Sequence, residues 1–254
     1  MGKKKKQSGK AAPAAVKAAP DYKKYIGLGL IPLAFFAVEV FGWVFLRGST
    51  GSKWPLVFGL LWAAILSGAV LGIPAKAGRI VFGLVYGLCA IYAVVETGYY
   101  ILFKEMMWLS DFRYASEGSD YFSVLLSYPI CWWLGILVLI GLGVAAVRLF
   151  PRGKYNWKQT VAAIVLFALA GNYAYRLPYD QFAQDKDVKF ARSDYGRMQS
   201  LEAAYENLFN THRLYQVCGL YQTLWKDIYA HGIYPLTPAY VQEHEAGREE
   251  IDAY

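Results

Sequence analysis

Five apolar blocks, each roughly 17–24 residues long, dominate this chain and limit what it can fold into. They cover residues 25–46, 55–73, 80–103, 129–150 and 159–175, parted by short stretches rich in Lys, Arg, Gly and Pro. A hydrocarbon layer about 30 Å thick needs about 20 such residues per helix. Inside that layer no water takes up the backbone, so each block must satisfy its own N–H and C=O groups, as a helix does. The expected fold is an all-α polytopic membrane helix bundle with about five transmembrane helices. An apolar soluble domain is the competing reading, since 56% of the residues are hydrophobic. The gathering of those residues into membrane-length blocks speaks against it.

The organisation is expected to be threefold. Residues 1–24 form a disordered, basic cytoplasmic tail of Lys, Ala, Pro, Gly and Ser. Residues 25–176 form the transmembrane domain, and residues 177–254 an extracytoplasmic helical linker. The formal charge of +7 is concentrated in Lys3, Lys4, Lys5, Lys6, Lys10, Lys17, Lys23 and Lys24, next to the first block. No groove-reading module accompanies them, so nucleic acid is not the expected partner. Anionic membrane lipids are. The same lysines, with Lys76, Arg79, Arg148, Arg152, Lys154 and Lys158, place the N-terminus inside by the positive-inside bias. Five crossings then put everything after Arg176 outside.

The outer segment has helical periodicity at Leu201, Tyr205 and Leu208, and again at Leu214, Val217, Tyr221, Leu224 and Ile228. Asn210 or Thr211 is a candidate cap for the second stretch, Gly232 and Pro235 end it, and Thr237-Pro238 opens another. About 75 residues of such amphipathic chain carry too little apolar surface to fold alone. This arm is expected to lean on the membrane domain, on the lipid surface, or on a further domain.

Glu39 and Glu96 are the first candidates for chemistry, because they fall inside apolar blocks. An ionised side chain at mid-bilayer costs on the order of 2.5–3.5 kcal/mol on insertion scales, so it faces the bundle interior or a wet cavity. Each is either part of a polar patch that grips a lipid headgroup or carries protons, or a protonated or hydrogen-bonded glutamate near an interface. The tyrosines and tryptophans at block ends read as interfacial belts. Cys89, Cys131 and Cys218 show no metal spacing and read as small apolar filler. His212, His231 and His244 stand apart, so neither a metal site nor a nucleophile–base constellation is expected within the chain.

Five spans behind a basic tail, a polar outer loop with Ser110-Asp111-Phe112, and an outer arm carrying Gly219-Leu220-Tyr221-Gln222-Thr223-Leu224-Trp225 together resemble the lipoteichoic acid synthase family. These are phosphoglycerol transferases with a sulfatase-like outer domain. The resemblance implies a bacterial cell membrane and a role in cell-envelope polymer synthesis. It also implies a lipid-presenting module for phosphatidylglycerol, working with a sulfatase-like catalytic domain or cell-envelope proteins. The threonine nucleophile and the divalent metal, commonly manganese, would belong to that catalytic domain. They have no counterpart expected here, whether the chain is a truncated product, a fragment or a stand-alone relative. Arg113, Arg197 and Arg213 join Glu39 and Glu96 as candidate contacts for a lipid headgroup. A small transporter or flippase using the intramembrane glutamates, and a non-enzymatic envelope scaffold, are the competing functions.

Overall fold

The computed structural model describes residues 22–46, 54–108, 124, 127–151 and 211–238, with scattered positions within 158–172. Four helices are long and apolar enough to cross a membrane. They are α1 (Tyr22–Leu46), α2 (Trp54–Leu71), α3 (Ala75–Phe103) and α4 (Ile130–Arg148). A further helix, α5 (Thr211–Ile228), is followed by a π turn at Tyr229–Ile233 and a 3-10 turn at Tyr234–Leu236. The protein is an all-α membrane helix bundle, with no strand among the described residues.

Prolines set several helix starts. Pro74 and Pro129 occupy the N-cap positions of α3 and α4 in the extended conformation that precedes a helix. Pro55 sits in the first turn of α2, where its missing N–H costs no intrahelical bond. Helix α3 begins five residues before the apolar block that announced it and carries Lys76 and Arg79 in its opening turns. Hydropathy stops at the first charge, whereas helical hydrogen bonding continues through the headgroup layer. At its other end Lys104 closes α3 with φ 61°, returning its N–H to the carbonyl of Tyr100.

α1 is the hub, packed against α2, α3, α4 and α5. Its Phe35 meets Phe82 edge-on at 5.4 Å between ring centres and Tyr86 at 6.0 Å. Side chains staple α3 to α4. The Tyr128 hydroxyl donates to the carbonyl of Gly98 (2.6 Å), the Trp132 indole to Thr97 Oγ1 (2.9 Å), and the Tyr86 hydroxyl to the carbonyl of Leu139 (2.6 Å). Such bonds between membrane helices are worth about 0.6 kcal/mol each. Only 22% of the spanning window of α4 is buried, against 39% for each of the others, so α4 is the peripheral helix with the widest lipid face.

The ends of the bundle define its two sides. The N-terminal end of α1 meets the C-terminal end of α4, where Gly27 lies against the backbone of Leu149, and Phe150 packs on Phe82. The other side holds the ends of α1 and α3 and the starts of α2 and α4. α5 docks on this second side: His212 Nε2 donates to the carbonyl of Leu46 (2.9 Å), and its ring stacks on Tyr100 at 4.6 Å. Between Phe150 and Thr211 the chain therefore changes sides, which in a bilayer requires an odd number of crossings. The expected span at 159–175 would be one such crossing. Most of it lies outside the described residues, but those described within 158–172 are helical, and Leu166 faces Gly68 of α2.

Candidate functional site

α5 is a broken helix that enters the bundle and leaves on the same side. Thr211 Oγ1 contacts the carbonyl of Met106 just beyond α3. Further along, the Tyr221 hydroxyl donates to the carbonyl of Phe35 (2.6 Å), eleven residues inward from the end of α1, or about 16 Å along its axis. The chain then returns outward, and His231 meets the Trp108 ring at 5.3 Å. The sequence implied one continuous amphipathic stretch here. The structure instead breaks it at Gly219, with φ 78° and ψ 179°, a backbone region essentially reserved for glycine.

A helix break at this depth exposes backbone groups with no water to receive them, and it is stable only where protein replaces the solvent. Glu39 does so. Its Oε1 accepts the Leu220 N–H at 2.8 Å, and its Oε2 accepts those of Leu220 and Tyr221 at 3.1 and 3.3 Å. These are the first donors of the second half-helix, and the side-chain oxygens of Glu39 sit at the positive end of its dipole. The hydroxyl of Thr223 donates to the carbonyl of Gly219 (2.7 Å), and Cys218 Sγ donates to that of Leu214 (3.1 Å). Gly59 and Gly219 leave the space the carboxylate fills, since a Cβ at either would overlap Glu39.

Glu96 lies at the same depth. Each acid is seven residues from the C-terminal end of its helix, about 10 Å along the axis. Glu96 is fully buried and accepts the Met107 N–H at Oε2 (3.1 Å). Asp227, on the second half of α5, is 2% exposed and 2.7 Å from Nδ1 of His231, whose side chain is 45% exposed. Gln222 accepts the Trp62 indole N–H at 2.9 Å, and Trp225 faces Trp62 at 6.4 Å. The result is a ledge of buried acidic side chains, aromatic rings and one half-exposed histidine at the end of the bundle where α5 docks.

Two of the five residues expected to contact a lipid headgroup, Glu39 and Glu96, thus come to one level of the bundle, on α1 and α3. Glu39 is spent on the protein's own backbone. Arg213 is partly buried in the first turn of α5, and Arg113 and Arg197 lie outside the described residues. Periodicity missed Asp227, Gln222 and His231. The one local signal was the polar content of a segment that proves to be buried. Cys218 is also fully buried, in an arm that hydropathy placed outside the bilayer. Among the described residues no three His, Cys, Asp or Glu side chains converge to hold a metal.

These features define a class: a polytopic helix bundle with a re-entrant broken helix clamped into one end. Comparison of the chain with family models, with curated proteins and with solved structures gave no match.

Proposed function

We propose that this chain is the membrane-anchoring and lipid-presenting part of a lipoteichoic acid synthase-like phosphoglycerol transferase. It sits in a bacterial cell membrane with the lysine tail in the cytoplasm and α5 towards the outside. One observation carries the reading. The Gly219–Trp225 segment, on which the family resemblance rests beyond the spans, is clamped to α1 through Glu39. Bundle and arm are thereby one body, as a chain must be if it holds a headgroup and a transferring domain in fixed register. Phosphatidylglycerol lies in the leaflet, and fixing both reactants at its surface converts a bimolecular encounter into a positioned one. The transfer itself belongs to a sulfatase-like domain not contained in these residues, so the chain alone is expected to be inactive.

The test places the full chain in liposomes of phosphatidylglycerol labelled in the headgroup and adds a purified sulfatase-like phosphoglycerol transferase domain. Glycerol phosphate polymer should accumulate faster than with empty liposomes. Equal rates, or release of glycerol phosphate by the chain alone, would overturn the reading.

The broken helix also favours a second reading, a transporter, in which half-helix N-termini hold anionic substrates at membrane depth. Here the protein's own Glu39 fills that position. Uptake of phosphorylated solutes into proteoliposomes that is abolished by Glu96→Gln would favour the transporter.

A further inference from the structure

The side of the bundle remote from α5 carries a groove between α3 and α4 with a volume of about 360 Å³, within the usual range of ligand sites. Its walls come from missing side chains. Gly83 on α3 has only Val147 near the position of a Cβ, and Gly143 on α4 is covered by the Tyr86 ring. The hydroxyl of Tyr86 is already given to Leu139, so this wall presents ring carbons. Arg79 and Arg148 stand at one end, both exposed. The groove rises from them for about seven residues of α3, or about 10 Å. Leu84, Ile140 and Val144 beside it are 46–63% exposed and face lipid. Among the described residues no acidic side chain lines it.

We propose that this groove binds one anionic phospholipid, its phosphate held by Arg79 and Arg148 and an acyl chain laid along Gly83 and Gly143. Two arginines at the headgroup level match a phosphodiester in charge and in their paired donors. Basic pockets between spanning helices on the cytoplasmic side are suited to anionic headgroups. The glycines give the chain a slot that leucine would close. The site is in the leaflet opposite the clamped helix, so it stands or falls independently of the transferase reading.

The test is native mass spectrometry of the full chain taken from nanodiscs holding equal amounts of palmitoyl-oleoyl phosphatidylglycerol and phosphatidylcholine. The wild type should retain one phosphatidylglycerol in preference to phosphatidylcholine. The double variant Arg79→Gln/Arg148→Gln should lose that preference by roughly tenfold. Gly83→Leu, which has room for its side chain, should retain neither lipid while keeping the wild-type thermal midpoint. Equal retention of both lipids by the wild type, or unchanged retention in both variants, would overturn the proposal. Should the arginine pair prove too unstable to purify, Gly83→Leu decides alone.

Discussion

Glu39 on the first helix and Gly219 on the re-entrant helix occupy each other's space: a Cβ on Gly219 would lie 2.6 Å from Glu39 Oε1 and 3.0 Å from Pro55 Cα. The carboxylate lies where a side chain would otherwise be, and it binds the two N–H groups that the break sets free. Neither residue has a role without the other.

Glu39→Ala should therefore cost more than an ordinary truncation. It strands two buried N–H groups, at about 1–3 kcal/mol for each. Glu39→Gln keeps one acceptor oxygen and should fall between the two. Thermal unfolding in detergent should rank wild type above Gln above Ala, and a Gln variant as unstable as Ala would refute the capping role.

Gly219→Ala combines strain of about 1–3 kcal/mol with the overlap just described. It should loosen α5 without unfolding the four spans. Cys218 reports this directly, because it is fully buried and burial pushes its thiol up, away from the reactive thiolate. In a Cys89→Ser/Cys131→Ser background, maleimide labelling of Cys218 should be slow in the otherwise wild-type protein and at least about tenfold faster with Gly219→Ala. Equal labelling would show that the break does not hold the helix.

Alkali should release the same helix. Burial raises the Tyr215 and Tyr221 hydroxyls well above the ordinary tyrosine value of 10.0. The folded state thus keeps protons that the undocked state gives up. The stabilisation is complete below about pH 10 and declines as pH rises beyond it towards the folded values. Labelling of Cys218, corrected for the thiolate fraction of a free thiol, should accelerate above that pH. Tyr221→Phe should weaken the acceleration, and a flat profile would contradict the burial of these hydroxyls.

Topology is checked by single cysteines and a membrane-impermeant maleimide. In intact cells His231→Cys and Ser127→Cys should label, while Lys10→Cys should label only after lysis. Labelling of Lys10 and His231 from one side would remove both the odd number of crossings and the proposed orientation.

The helical class and the positions of the four described spans were legible in the sequence, because a bilayer imposes one length and one polarity on whatever crosses it. Differences stayed at helix ends, as at Ala75, where hydrogen bonding outlasts apolar character. Glu39 and Glu96 also stood out, since a charge in an apolar block is conspicuous by itself. The path of α5 was not legible. Its segment is of mixed polarity and reads as a surface arm, and its burial depends on partners far away in the chain: Glu39 for Leu220 and Tyr221, Phe35 for the Tyr221 hydroxyl, Trp62 for Gln222. Composition measures what a segment would gain from lipid. Only the tertiary structure decides whether protein groups replace water around its polar atoms, and here they do.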